Sequence, residues 1–221
     1  MDCKAAIERV YEHADNDHVD KAVMTCLRIA RNLQDYVYAA TFLREMCPDK
    51  RECMRILYED TKHLKMEAKK YLWEKSAEYW LNTHTLDFSL GTDDKGDELN
   101  VLSIGMSEID PELEQWERSI ADLQVPAGMG EYDNAAFADK YSRQKAEIRL
   151  RMKALQTIKQ RIKTRCVNYA IGIERQLQAQ SKSHSFLAQV HNEVNNYFKA
   201  RSADVYTKLQ KAAQLVDSTD P

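Results

Sequence analysis

Apolar residues recur every three or four positions along most of the chain, which is the spacing of one face of an α-helix. Over residues 1–83 this spacing predicts about five helices joined by short polar connections. Helices joined by only a few residues pack antiparallel or at right angles to their neighbours. The pattern therefore predicts an N-terminal helical bundle over residues 1–83.

The last helix of this bundle is predicted over residues 60–82 and contains a cluster of aromatic residues. Alternate members of this cluster fall on opposite faces of a helix, so we expect Tyr71 and Trp80 in the core and Trp73 partly exposed. His84 follows at the predicted end of the helix. There we expect its side chain to cap the last backbone carbonyl groups.

Residues 84–132 interrupt the helical pattern with clustered glycines and acidic residues. Residues 84–109 are predicted to form an ordered loop on the helices, with a short hairpin as the alternative. Asp110 and Pro111 then resemble a helix start, because aspartate is a common cap and proline suits a first helical turn. A short helix is therefore predicted from Asp110.

From residue 133 to about residue 180 the chain has no proline and a single glycine, and its apolar positions alternate in steps of four and three. This spacing predicts a long helix with a coiled-coil-like seam in which one step falls on Lys159. A second long helix is predicted to follow and to complete an antiparallel hairpin, which packs on the N-terminal helices or on another copy. The predicted seam residues are Ile148, Met152, Leu155, Ile162, Cys166, Tyr169 and Ile173.

The predicted fold class is all-α, with an N-terminal bundle of about five helices, an irregular acidic loop and a long C-terminal antiparallel helical hairpin. The predicted regions are residues 1–83, 84–132 and 133–221, with the first and last forming one composite domain. Only 6 glycines and 4 prolines occur in 221 residues, which is too few for a strand-and-turn fold.

Hydropathy and cysteine content predict a cytoplasmic protein. The longest apolar runs are interrupted by charged residues, so no transmembrane helix is predicted, and Met1 to Lys4 lack the layout of a signal peptide. The 5 cysteines are odd in number and form no Cys-x-x-Cys motif. Their spacing favours structural thiols in a reducing compartment over disulfides or metal ligands.

Charge is segregated along the chain although the formal net charge is only −3. Residues 87–122 contain eleven acids and two bases, whereas residues 140–165 contain ten bases and one acid. The basic residues singled out for an interaction surface are Lys140, Arg143, Arg149, Arg151, Lys153, Arg161, Lys163 and Arg165. The corresponding acidic residues are Asp93, Asp94, Asp97, Glu98, Glu108, Glu112 and Glu114.

Three interpretations of this segregation remain open. The bases of residues 140–165 are the solvated face of a long helix, or the acidic segment 87–122 folds across them within the chain or in a neighbouring subunit, or they follow a phosphate backbone. Aromatic residues among the bases favour binding to single strands, and only Tyr141 qualifies.

Motifs that carry known chemistry are absent from the sequence. It contains no glycine-rich phosphate loop, no nucleophile elbow and no His-Glu-x-x-His zinc motif. No catalytic residue, cofactor or metal ligand is therefore predicted. A hydrolase or nuclease assembled from scattered side chains, such as Cys53 and His63, stays open as an alternative.

Two stretches resemble the AbiTii-type domain of bacterial proteins associated with abortive infection, a defence against phage. Residues 21–45 resemble its first two helices, the second of which ends in Leu-x-x-Glu in the family and in Ala40-Thr41-Phe42-Leu43-Arg44-Glu45 here. Residues 165–174 are similar to its closing helix, with Arg165 followed by an apolar run and Glu174. The resemblance implies a helical regulatory or scaffolding module in prokaryotic antiphage defence, with no catalytic residues to transfer.

These observations together predict a non-catalytic helical interaction, scaffold or regulatory protein that acts by self-association or by binding another defence-system protein. The alternative is a nucleic-acid-binding protein without sequence preference that uses residues 140–165. The second alternative is the hydrolase or nuclease already mentioned.

Overall fold

The structure, a computed structural model, describes residues 2–47, 49–92, 94–123 and 137–179. It divides the chain into two compact units, Met1–Ile171 and Gly172–Pro221. Residues 172–179 of the second unit are helical. The second arm of the predicted hairpin lies outside the described residues, and the predicted division at residues 83 and 132 stays a prediction.

The described part of the first unit contains eight helices, which confirms the all-α fold class. They are α1 (Cys3–Asp15), α2 (Val19–Asn32), α3 (Tyr36–Met46), α4 (Lys50–Ile56), α5 (Tyr58–Thr61), α6 (Met66–His84), α7 (Met106–Asp122) and α8 (residues 137–171).

Aspartate side chains begin three of these helices. Asp2 accepts a hydrogen bond from the Lys4 amide at 3.0 Å, and Asp49 accepts one from the Arg51 amide at 2.7 Å. Asp35 serves α3 in the same way. Each side chain satisfies a backbone N–H that has no partner within the first turn, so local sequence sets these boundaries.

The core of the first unit is centred on α2 and α3, which pack against each other. α1 packs on α2, and α6 packs on α3. α8 reaches the same core, because the Cys26 thiol donates to the Cys166 carbonyl and the Tyr169 ring contacts Phe42. Its fully buried large side chains include Val10, Val19, Val23, Ile29, Phe42, Leu57, Ile109, Leu155, Ile158 and Ile162.

The docked face of α8 follows the predicted seam in part. Leu155, Ile162, Cys166 and Tyr169 are buried as expected. The assignment of Lys159 to the seam is wrong, because the buried position at this point of the helix is Ile158, which is fully buried. Spacings of three and four residues both fit one helix face, so the pattern alone did not separate these neighbours.

The buried face of α6 also differs from the prediction. Tyr71 is 62% exposed and Trp73 only 8% exposed, which reverses the assignment made from the aromatic cluster. α6 begins at Met66 after a separate short α5, and its buried face includes Ser76 and Thr83, whose hydroxyls donate to the carbonyls of Trp73 and Tyr79. The buried face of α6 therefore includes polar residues, whereas a hydropathy pattern assigns such residues to the exposed face.

Residues 85–92 and 94–105 belong to the predicted loop, which folds back on itself with two isolated antiparallel bridges, Thr85 to Val101 and Thr92 to Glu98. Backbone hydrogen bonds such as Leu86 N–H to Asn100 O, at 2.6 Å, hold its two sides together. Gly96 has φ of 86°, a left-handed conformation that glycine adopts without a steric penalty.

α7 begins one turn earlier than predicted. Its first residue is Met106, because the Glu108 side chain accepts a hydrogen bond from the Gly105 N–H at 3.1 Å and so satisfies the helix start. Asp110 and Pro111 therefore lie inside the helix and do not begin it.

Candidate functional site

Three polar side chains from distant parts of the first unit meet in its core. Glu45 lies near the end of α3, His84 is the last residue of α6, and Arg165 belongs to α8. Glu45 Oε2 lies 2.9 Å from His84 Nε2, and Glu45 Oε1 accepts a hydrogen bond of 2.9 Å from Arg165 Nη1. Glu45 and His84 are completely buried, and the Arg165 side chain is 18% exposed. We name this group the ionic cluster.

The hydrogen bonds of His84 determine how many protons the ionic cluster holds. Nδ1 lies 2.8 Å from the Leu102 carbonyl oxygen, which only accepts, so Nδ1 carries a hydrogen. Nε2 then either donates to an ionised Glu45 or accepts from a protonated Glu45. In both arrangements one proton lies between His84 and Glu45, whose other carboxylate oxygen accepts from Arg165.

Neighbouring side chains hold the ionic cluster in place. The Trp80 ring stacks on His84 with centroids 4.2 Å apart, which fixes the imidazole plane. Next to Glu45, Arg44 is also buried and donates to the Ser76 hydroxyl at 3.2 Å, which ties α3 to α6. Burial lowers the pKa of the Arg44 guanidinium from its ordinary value.

An open cleft of about 440 Å³ lies beside the ionic cluster between α3, α6 and α8. None of its lining residues is acidic, and most carry hydroxyl, amide or guanidinium groups. We name it the polar cleft. It is lined by Tyr38, Asn82, Thr83, Gln160, Arg161, Thr164, Arg165, Asn168 and Tyr169.

The two arginines of the polar cleft lie one helical turn apart and are held by backbone carbonyls at the end of α6. Arg161 donates to the carbonyls of Thr83 and Thr85, and Arg165 donates to that of Tyr79. Arg161 therefore caps the end of α6, the role that the sequence assigned to His84. Arg161 also pairs with Asp87 at 3.1 Å, and Asp87 is 90% exposed.

Aromatic rings form one wall of the polar cleft. The rings of Tyr38 and Tyr169 have centroids 4.6 Å apart, and Tyr169 also contacts Phe42 edge-on. Burial raises the pKa of both tyrosines, so their hydroxyls stay protonated at neutral pH. The buried Tyr169 hydroxyl lies close to the Asp35 carboxylate, whose negative charge raises the pKa of this tyrosine further.

The bases predicted on the second half of α8 are paired within the chain. Lys159 contacts Asp110 at 2.7 Å and Asp17 at 2.8 Å, and Lys163 lies 3.7 Å from Asp17. With the pairs formed by Arg161 and Arg165, each base between residues 159 and 165 has an acidic partner from another element. Asp87 and Asp110 belong to the predicted acidic segment, which thus contacts this half of the helix.

The bases predicted on the first half of α8 are arranged differently. Lys140 and Arg149 are exposed, and Arg143 pairs only with Asp139 on the same helix. Arg151 lies over the Trp116 ring of α7, and Lys153 lies over the Phe88 ring. No base of residues 140–153 pairs with an acid of another element in the described part of the chain. We name residues 140–153 the basic segment.

The predicted acidic residues do not converge on one described site. Glu108 caps α7, Glu112 accepts from the Trp116 indole N–H at 3.2 Å, and Glu114 pairs with Arg118. Three more are exposed in the loop: Asp94, Asp97 and Glu98. Asp93 lies outside the described residues.

The pair suggested for a cryptic hydrolase does not form a nucleophile and base. The Cys53 thiol is buried and donates to the Cys47 carbonyl at 3.0 Å, and burial raises its pKa to about 11. A thiol with that pKa is very little ionised at neutral pH, and the thiolate is the nucleophile. His63 instead contacts the Tyr36 ring on the surface.

Comparisons with protein-family models, with curated proteins and with solved structures each return no match for this chain. Within the residues that the structure describes, no group of three His, Cys, Asp or Glu side chains is arranged to hold a metal ion. A search of the same residues finds no helix with the length and hydropathy needed to cross a membrane.

Little in the sequence indicated the ionic cluster. Glu45 and Arg165 lie 120 positions apart, and the structure joins them directly. One feature of the sequence did indicate buried charge. Arg44 and Glu45 are adjacent charged residues near the end of α3, and the other positions of this helix are mostly apolar, so it has no polar face that could expose both side chains.

Proposed function

We propose that this protein is a non-catalytic helical interaction protein that binds an acidic protein surface through the basic segment. The observation that carries this proposal is the contrast in charge pairing along α8. The bases of residues 159–165 have acidic partners from other elements, whereas those of residues 140–153 have none among the described residues.

A second copy of the chain is the partner that charge complementarity favours. α7 carries exposed acids, including Glu114, Glu117 and Asp122, with Arg118 as its only base. Association of the basic segment of one copy with α7 of another brings opposite charges together, and such complementarity gives orientation and rapid encounter. Self-association is therefore the mode of action that we propose.

The cellular setting proposed here rests on the resemblance alone. Glu45 and Arg165 lie in the two stretches similar to AbiTii-type domains, and this supports a regulatory or scaffolding role in prokaryotic antiphage defence in the cytoplasm. A defence-system protein with an acidic surface is then the alternative partner.

Light scattering coupled to size-exclusion chromatography tests the proposal. We expect an oligomer at tens of micromolar that dissociates toward monomer as salt rises to about 0.5 M, because salt screens pairs between exposed charges. Reversing Lys140, Arg143 and Arg149 to glutamate should give a monomer at low salt. The control changes Lys62, which follows α5, and Lys70 of α6 to glutamate, because both lysines are exposed and lie outside the basic segment. A monomer at every concentration and salt would refute self-association.

The nucleic-acid alternative uses the same basic segment, whose exposed bases are free of acids from other elements in the described residues. If it is correct, a fluorescent single-stranded oligonucleotide binds at low salt, and the affinity falls steeply with salt. Four or five contributing bases predict a slope of log K against log salt of about −3 to −4. Absence of binding at low salt would end this alternative.

A further inference from the structure

We propose that the polar cleft between α3, α6 and α8 is a binding site for a small ligand bearing a phosphate group, held by Arg161 and Arg165. This inference goes beyond the proposed interaction function, because it concerns a different surface and different residues of α8.

The charge balance at the base of the cleft favours an anion. Glu45 also contacts His84 at 2.9 Å, so this carboxyl group is shared and does not pair with Arg165 alone. Within the described part of the chain, the only acid paired with Arg161 is Asp87, which is 90% exposed and therefore contributes weakly in water. The lining residues themselves contain two cations and no acid.

The two guanidinium groups are already positioned for such a ligand. Backbone carbonyls of Tyr79, Thr83 and Thr85 hold them without neutralising them. Arg161 and Arg165 remain 30% and 18% exposed, so part of each fork is open to the cleft. Groups that are fixed in advance lose little entropy on binding, and a planar fork matches the oxygen geometry of phosphate.

The rest of the lining fits a small polar molecule with one flat group. Asn82, Gln160 and Asn168 offer exposed amides, and the Tyr38 and Tyr169 rings form an aromatic wall. A volume of about 440 Å³ lies within the range of small-molecule sites and suits a ligand of mononucleotide size. Glu45 and His84 lie behind this surface and are fully buried, so the cleft binds its ligand without their chemistry.

Calorimetric titration of the full chain with inorganic phosphate, adenosine 5′-monophosphate and adenosine tests the proposal. We expect saturable binding of the monophosphate, weaker binding of phosphate and none of adenosine. Arg161→Gln should weaken monophosphate binding about 10- to 100-fold, as expected for losing a hydrogen bond to a charged group. Asp87→Asn should tighten it, because the substitution removes the carboxylate that competes for Arg161.

Arg55→Gln is the matched control, since it removes an exposed, acid-paired arginine of α4 that lies outside both the cleft and the basic segment. Thr164→Asp adds a carboxylate at an exposed position of the lining and should abolish binding without touching the core. The proposal is overturned if neither phosphate nor monophosphate binds at millimolar concentration. It is also overturned if adenosine binds equally well, or if Arg161→Gln and Arg55→Gln have the same affinity. The oligomeric state of these variants reports separately on the proposed function.

Discussion

The two halves of α8 carry similar side chains and use them differently. Residues 154–170 bury seven side chains in the core, and their four bases all pair with acids of other elements. Residues 137–153 bury none, and among the described residues their bases meet only aromatic rings or an acid of the same helix. One helix therefore contains a half that packs in the core with its bases paired, and a half whose bases have no acidic partner from another element among the described residues.

This difference shows that a run of basic residues has no single meaning. Opposite charges buried or half-buried together organise the fold, whereas exposed charges cost little and stay open to partners. The acids paired with the second half come from the α1–α2 turn, α3, the loop and α7, so position in the fold decides which bases remain available. The charge count of residues 140–165 alone treats both halves alike.

The largest expected effect comes from breaking the ionic cluster in the docked half. Arg165→Met leaves the fully buried Glu45 without its guanidinium partner, and removal of one partner of a buried ion pair costs about 3–5 kcal/mol of the free energy of unfolding. Arg149→Met, on the exposed half, should change it by less than about 0.5 kcal/mol. Urea denaturation of both variants measures the contrast.

A second substitution separates the loss of charge pairing from the loss of packing. Adding Glu45→Gln to Arg165→Met removes the uncompensated carboxylate, so the double variant should be more stable than the sum of the two single effects predicts. Equal costs for Arg165→Met and Arg149→Met would contradict the division of α8 into two functional halves.

Periodicity was sufficient to predict the class of fold and most of the helices. It predicted the burial of Leu155, Ile162 and Cys166, because burial on one helix face depends on spacing along that element. It assigned Tyr71 and Lys159 wrongly, since the face that each helix buries depends on neighbours that the spacing does not specify.

The candidate site was harder to predict for a physical reason. The ionic cluster joins residues separated by 39 and 120 positions, and none of its members stands in a local motif. Whether Glu45 is a surface acid or a buried partner is decided only when α6 and α8 pack on α3. Long-range pairing of this kind leaves no trace in local propensity, which explains why the His84 side chain was expected to cap a helix.

Core packing provides the next smaller contrast between the halves. Ile158→Ala removes a fully buried side chain and should lower the free energy of unfolding by about 2–4 kcal/mol. Ile148→Ala removes the same atoms from a partly exposed position in the first half and should cost about 1 kcal/mol or less. Thermal and urea denaturation provide the measurement, and a larger loss at Ile148 would show that the first half is also part of the core.

The smallest effect is expected where a docked base meets an exposed acid. Hydrogen bonding from Lys159 holds the pKa of Asp17 below its usual value of 3.8. A carboxyl group whose pKa is lower in the folded state contributes stability above its unfolded pKa, and this is lost as pH falls through the folded value.

Asp17→Asn should therefore flatten the decline in stability below about pH 4 while leaving the fold intact, because asparagine tolerates the left-handed backbone that Asp17 adopts, with φ of 58°. Asp139→Asn, which breaks the Arg143 pair in the first half, is the control. If the free energy of unfolding fell equally with pH in both variants, the pairing of Lys159 with Asp17 would contribute no more to stability than the Arg143–Asp139 pair of the first half does.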